Sequence, residues 1–205
     1  MRKHRRARPS FPRIIGLTGS IAMGKSTTAA MLRNLNLSVF DSDAAARALT
    51  AKNGAALAAV ARAFPGAVNK GALDRKMLAK QVFNAPKKLA KLESILHPRV
   101  KAARRAFVRN ATRARENAVV FDIPLLLETR AERECDLLIV VDAPAFLQRQ
   151  RALARPGMTP ALLSAVLARQ MPAAQKRTRA DIVIPSGLGR AFALRRLKKA
   201  LRGLS

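Results

Sequence analysis

A chain of 205 residues, 49% apolar and 25% charged, is long enough for one α/β domain with inserted subdomains and a substantial core. No apolar run reaches the length of about 18 residues that a membrane helix needs, and a single cysteine, Cys135, excludes an internal disulfide framework and suits a reducing, cytoplasmic setting. The net charge of +28 raises a nucleic-acid partner, but Trp and Tyr are absent and the basic residues of 104–115 and 195–202 alternate with apolar ones at helical spacing, the pattern of solvated helix faces.

Residues 1–12, basic and ending in proline, read as a disordered arm outside the fold. Residues 13–18 (RIIGLT) form a short buried strand, followed by a glycine-rich loop and a helix to about Leu35. LSVF at 37–40 is a second strand, running into Asp41-Ser42-Asp43. From 44 to 115 the composition is helical, with breaks expected at Asn53-Gly54, at 64–71, at Ala85-Pro86 and at His97-Pro98. AVVFDI (118–123) and CDLLIVVD (135–142) are strands too apolar to face water on one side, as a parallel sheet requires. Cys135, at the start of the second of these, reads as a packing residue. A helix over about 145–154 leads into RPGMTP, which ends one helix and starts another. ADIVI at 180–184 is the last strand and 189–203 the last helix. Strands alternating with helices predict a parallel sheet covered on both faces, with the long helical interval inserted at the carboxyl ends of the strands.

Gly19, Ser20, Ile21, Ala22, Met23, Gly24, Lys25 and Ser26 satisfy G-x-x-x-x-G-K-[ST], between a strand and a helix, the context this motif needs. Backbone N–H groups of such a loop and of the following helix terminus converge on an anion, so a triphosphate is held with few side-chain donors. Lys25 is placed to neutralise its β- and γ-phosphates and the Ser26 hydroxyl to ligate Mg²⁺. Asp41 and Asp43 stand two apart on a segment read as extended, which points them the same way. Asp43 is the candidate base toward an attacking hydroxyl. Asp41 is a candidate for the metal's water shell or as a partner of Lys25, with capping of the next helix as the alternative. Asp122, ending a strand, offers a metal role or a strand-end hydrogen bond. Arg151 and Arg155, four apart on a helix, share a face and lead into a candidate lid, from which they could stabilise a transferring phosphoryl group.

Together with that loop, the stretches VFDSDAAARAL, GALDRKMLAKQVF, LHPRV, IPLLLE, QRQRALAR, ARQM with Lys176, and ADIVI resemble the dephospho-CoA kinase family in order and spacing over roughly residues 14–187. The resemblance implies a P-loop kinase fold: a five-stranded parallel core (13–43, 116–150 and 179–205), a helical CoA subdomain (44–115) and a lid (151–178). It implies ATP-dependent, Mg²⁺-dependent phosphorylation of the ribose 3′-hydroxyl of dephospho-CoA, the last step of coenzyme A synthesis. The phosphates fall to residues 19–27, Thr27 included, and the base to Asp43. Arg75, His97 and Pro98 fall in the CoA subdomain, Leu125, Leu126 and Glu128 border the acceptor, and Arg151 and Arg155 serve the lid. NKGA at 69–72 is not a guanine-reading N-K-x-D, since Ala72 takes the place of the aspartate.

The chain departs from the family at Ala22, where glycine is usual, at Pro185, where an aspartate is usual, and in its basic arm and charge. The readings that compete are a nucleoside monophosphate kinase, which LHP and LDR disfavour, an ATP-dependent nucleic-acid-binding protein, and a relative that binds ATP without turnover. Neither a membrane nor a specific nucleic acid is an expected partner, and these motifs do not set an oligomeric state. A positive φ at position 22 costs an alanine about 1–2 kcal/mol. Ala22→Gly is therefore expected to lower the KM for ATP; steady-state kinetics giving an unchanged or higher value would remove the strain reading.

Overall fold

The computed structural model describes residues 12–83 and 85–202, so the expectations for residues 1–11 and 203 lie outside the described residues. β1 (Arg13–Gly19) is a continuous apolar run with Ile15, Leu17 and Thr18 wholly buried. Burial on both faces is the signature of a central parallel strand. It pairs in parallel with β5 (Ala118–Asp122) on one side and β6 (Leu137–Asp142) on the other, in registers that set Leu17 beside Asp122 and Gly19 beside Val141. With β2 (Ser38–Asp41) and β7 (Ile182–Pro185) at the edges, the five-stranded sheet has the order β2-β5-β1-β6-β7. The expected five-stranded parallel P-loop core is present. The chain passes from β1 to the far edge before returning through β5, so the carboxyl end of β1 lies where the strand order switches, the usual ligand crevice of such sheets.

The core under the sheet joins Ile15, Leu17, Val120 and Ile139 to Leu32 of α1 (Lys25–Asn34) and to Ala193 and Leu197 of α9 (Arg190–Leu201). Phe40 meets Phe121 edge to face at 6.3 Å between ring centroids. Gly16 has no room for a side chain: a Cβ there would lie 2.8 Å from Cys135 Sγ. Cys135 thus packs against the central strand, as expected. Between β6 and β7 run α6 (Ala145–Leu153), α7 (Pro160–Ala168) and α8 (Ala173–Arg179). Thr159 caps α7, its hydroxyl accepting from Leu162 N–H, with Pro160 in the first turn, the position that needs no N–H.

The chain divides into two compact units, one of residues up to Phe40 and from Ala111 onward, the other Asp41–Asn110. The second unit holds α2 (Ser42–Leu49), α3 (Leu57–Ala63), α4 (Arg75–Val82) and most of α5 (Pro86–Arg113), around Val60, Phe64, Ala67 and Leu78. The helix break expected at 64–71 is present, between α3 and α4, and it leads into a small antiparallel hairpin, β3 (Val68–Asn69) with β4 (Ala72–Leu73). Its turn residues Lys70 and Gly71 both have positive φ, 48° and 74°, as a tight two-residue turn matching strand twist demands. One expectation fails here: the helix does not stop at His97-Pro98 but runs through as α5, with Pro98 inside it. Proline removes one backbone donor, the partner of the Ser94 carbonyl, and the Arg99 guanidinium adds a side-chain bond to the Ile95 carbonyl at 2.7 Å. Among the described residues no helix is long and apolar enough to cross a membrane.

Leu32→Ala, which empties a wholly buried site under the sheet, is expected to cost about 3 kcal/mol and lower Tm by roughly 6–12 °C. Arg99→Ala, which removes a side-chain bond to the Ile95 carbonyl of α5, is expected to cost about 0.5–1 kcal/mol. Thermal and denaturant unfolding check both.

Candidate active site

The loop from Gly19 to α1 leaves the carboxyl end of the central strand. Gly24 immediately precedes α1 with φ 92°, in the left-handed region, and a Cβ there would lie 3.0 Å from Ser186, so glycine is required twice over. No side chain caps α1. The first-turn N–H groups of a helix lack intrahelical acceptors, and here they are left to an external anion. Ser26 and Thr27 are exposed in that turn. Thr28 is instead buried and returns its hydroxyl to Gly24 O at 3.3 Å.

Lys25 Nζ lies 2.5 Å from Asp122 Oδ1, the two side chains being 17% and 6% exposed. Of the alternatives open for Asp41, capping of the next helix is the one its hydrogen bond realises. Asp41 ends β2 and caps α2, its Oδ1 accepting from Ala44 N–H at 2.8 Å, with Arg47 4.0 Å from its other oxygen. The chain turns helical at Ser42, so Asp41 and Asp43 do not share an extended segment: Asp43 is exposed in the first turn of α2. No group of three or more His, Cys, Asp or Glu able to hold a metal occurs among the described residues. Mg²⁺ carried on phosphates keeps several waters and needs only one or two protein oxygens. Ser26, exposed and next to Lys25 in the chain, and the Asp122 carboxylate beside Lys25 Nζ supply oxygens of the kind that requirement calls for.

Ala22 has φ 60° and is 7% exposed, its methyl packed with Ala152 and Leu163 and against Ile21, Leu153 and Met158. Burying a methyl recovers about 0.8 kcal/mol, close to the lower bound of what the left-handed conformation costs. The strain expected from the sequence is real but largely offset, which leaves room for only a small effect of Ala22→Gly on KM. Ser20 is buried beneath the loop and its carbonyl accepts from Met23 N–H at 3.1 Å. The Met23 sulfur accepts from Ala143 N–H at 3.0 Å.

Arg151 and Arg155 do not share a helix face. α6 stops at Leu153, and Arg155 N–H bonds Ala152 O in a tightened last turn, which turns the exposed Arg155 away from the α-helical repeat. The Arg151 guanidinium donates to Ser186 Oγ and Ser186 O at 3.0 and 3.1 Å, and Ser186 Oγ in turn donates to Met23 O at 2.7 Å. Pro185 is accommodated because β7 is an edge strand, where a missing donor breaks no ladder. The chain after it forms a short 3-10 turn, Ser186–Leu188, whose Ser186 reaches the phosphate loop.

After β5, Thr18 Oγ1 donates to Pro124 O at 2.9 Å, fastening that turn to the central strand. Leu125 is exposed at 39%, whereas Leu126 is wholly buried beside Gly16. Glu128 Oε1 accepts from Met171 N–H at 2.7 Å and lies 2.8 Å from Nζ of the fully buried Lys176, at an angle that makes an ion pair rather than a hydrogen bond. In the second unit Arg75 opens α4 behind its Asp74 cap and donates to Arg47 O at 3.4 Å, while His97 and Pro98 are exposed on α5. Motif reading missed the roles of Asp122 as partner of Lys25, of Ser186, and of Gln148 and Gln170, which bond to Ile21 O and Ile21 N–H at 2.9 and 3.0 Å. Both glutamines lie within the stretches QRQRALAR and ARQM, but a neutral amide carries no positional signature of chemistry.

The family model CoaE: Dephospho-CoA kinase matches residues 13–188. A dephospho-CoA kinase of Rhodospirillum rubrum is 53% identical over 190 residues, covering 92% of this chain and 90% of that relative. One of Paramagnetospirillum magneticum is 60% identical over 165 residues, 80% of this chain and 78% of its own length. Among solved structures, TT1252 from Thermus thermophilus superposes with a TM-score of 0.82 at 37% identity, covering 95% of this chain and 98% of that one. With a phosphate loop at the switch point of a parallel sheet and a match of this extent, the chain belongs to the dephospho-CoA kinase family, the kinases of the ATP-dependent phosphorylation step of coenzyme A synthesis.

Proposed function

We propose that this kinase transfers the γ-phosphoryl group of ATP to the ribose 3′-hydroxyl of dephospho-CoA with Asp43 as the base. The observation that carries the reading is the uncapped start of α1 beside the Lys25–Asp122 pair: anion-seeking donors and a lysine held by a carboxylate that it can exchange for phosphate. The loop from Gly19 to Thr27 holds the triphosphate, chiefly through main-chain N–H groups. Lys25 turns from Asp122 to the β- and γ-oxygens as they arrive. Ser26 and Asp122 would then hold Mg²⁺, which when bound neutralises charge on those oxygens.

The acceptor oxygen bonds to the γ-phosphorus as the bond to the ADP oxygen breaks, and its proton passes to the Asp43 carboxylate. Exposure at the start of α2 leaves the Asp43 carboxylate accessible, as a base must be. Residues 41–110 take the pantetheine-bearing acceptor, Arg75 supplying charge and His97 and Pro98 an exposed surface on α5. Residues 151–178 act as the lid, from which Arg151 and Arg155 stabilise the charge spread over the transferred group. Leu125 borders the acceptor directly; Leu126 and Glu128 support that border from behind, one by packing and the other through its ion pair. A cytoplasmic location belongs to the same reading.

ADP release with MgATP is expected with dephospho-CoA as acceptor and not with AMP or CMP; equal turnover on a nucleoside monophosphate would overturn the substrate assignment. Asp43→Ala is expected to lower kcat by about 10²–10⁴-fold with Kd for MgATP unchanged. Arg151→Ala should lower kcat by about 10³-fold, and a change confined to Tm would reduce that arginine to a tie for the 185–188 turn.

A further inference from the structure

The phosphate loop is gripped at one residue by two side chains, one from just before the segment proposed as the lid and one from within it. Gln148 of α6 donates through Nε2 to Ile21 O at 2.9 Å; Gln170, between α7 and α8, accepts through Oε1 from Ile21 N–H at 3.0 Å. The backbone chemistry itself fixes which amide atom is used, because a carbonyl requires a nitrogen opposite it and an N–H an oxygen.

The two bonds hold successive peptide planes. Ile21 O belongs to the same peptide plane as Ala22 N, so rotating that plane trades ψ of Ile21 against φ of Ala22. Ala22 is held at φ 60°, a conformation that an alanine leaves unless its surroundings over-determine it. Gln148 pins the plane that sets this angle, and it is itself buried, 8% exposed. Gln170 fixes the preceding plane and engages its N–H, so that this donor is not among those left for an anion. Gln170 has its own backing: the next residue, Met171, donates to Glu128, which is ion-paired with the fully buried Lys176. Between the two glutamines in the chain, Ala152 and Leu163 share a buried apolar cluster with Ala22.

We infer that Gln148 and Gln170 are positioning residues that hold the Ile21–Ala22 turn in its phosphate-receiving form and join α6 and the lid to it. The inference rests on the nucleotide-binding half of the function proposed above and is independent of the acceptor.

The test uses one substitution at two places. Gln→Glu adds the same charge near the same loop at either position, keeps the acceptor that position 170 needs and destroys the donor that position 148 needs. Kd for MgATP, measured by titration calorimetry on the full chain, is expected to rise about tenfold in Gln148→Glu and by no more than about threefold in Gln170→Glu, a difference of the size one lost hydrogen bond gives. Gln148→Met and Gln170→Met, which remove the bonds without burying a charge, are each expected to weaken MgATP about tenfold. They should leave the KM for dephospho-CoA within twofold of wild type. The Met variants also stand in if Gln148→Glu fails to fold. Met variants that bind MgATP as wild type does, or whose defect falls on the acceptor KM or on Tm alone, would overturn the inference, as would equal losses in the two Glu variants. Wild-type protein that binds MgATP but turns over no dephospho-CoA would sink the acceptor assignment and leave this inference standing. Wild-type protein that binds no MgATP would sink both.

Discussion

A parallel strand buried on both faces has only its ends to offer to solvent, and the rest of the site depends on that constraint. β1 lies between β5 and β6 with Ile15, Leu17 and Thr18 wholly buried, so its residues are committed to packing until the chain reaches Gly19. The first groups free to meet a ligand are therefore the main-chain amides of the loop that follows. The parallel register brings the end of β5 to the same place, which is why Asp122 stands against Lys25 although 97 residues separate them in the chain. A lysine paired with a buried carboxylate is held near its target, and a more highly charged anion can draw it away provided the carboxylate gains a new cation in exchange.

Around this point the loop is shaped by contacts from outside it. Ser186 fills the space over Gly24 and bonds Met23 O, Arg151 holds Ser186, and the two glutamines grip Ile21. A loop of this kind has few internal hydrogen bonds, because its N–H groups must stay open to the ligand. Its conformation is therefore decided by neighbours, and a residue such as Ala22 can sit at φ 60° when its methyl is itself part of the packing. The departure from glycine at this position is thus matched by apolar contacts with Ala152 and Leu163 rather than tolerated as unrelieved strain.

The fold was legible in the sequence because its signals are local and repeated. Apolar runs at 13–18, 118–123 and 135–142 identify buried parallel strands, and the phosphate-loop spacing sets the first strand's end. What local patterning could not weigh was compensation. Pro98 reads as a helix breaker, yet it costs one donor in a helix of 28 residues whose other bonds carry it through. Arg151 and Arg155 share a face only if the helix continues, and α6 ends between them. Asp41 and Asp43 look alike in the sequence, yet the turn into α2 makes one a cap and leaves the other exposed. Glu128 carries a charge that suggests a ligand contact, whereas its nearest groups are Lys176 and Met171 N–H.

By itself, then, the sequence determined the order of strands and helices, the place of the phosphate loop and the family, because periodicity and motif spacing are properties of neighbouring residues. Only the tertiary structure decided that Lys25 faces Asp122, that Arg151 reaches Ser186 and that Gln148 and Gln170 meet at Ile21. Those contacts join residues far apart in the chain. Hydrogen bonds and ion pairs act over a few ångströms of space regardless of sequence separation, so no local pattern encodes which distant partner each group finds.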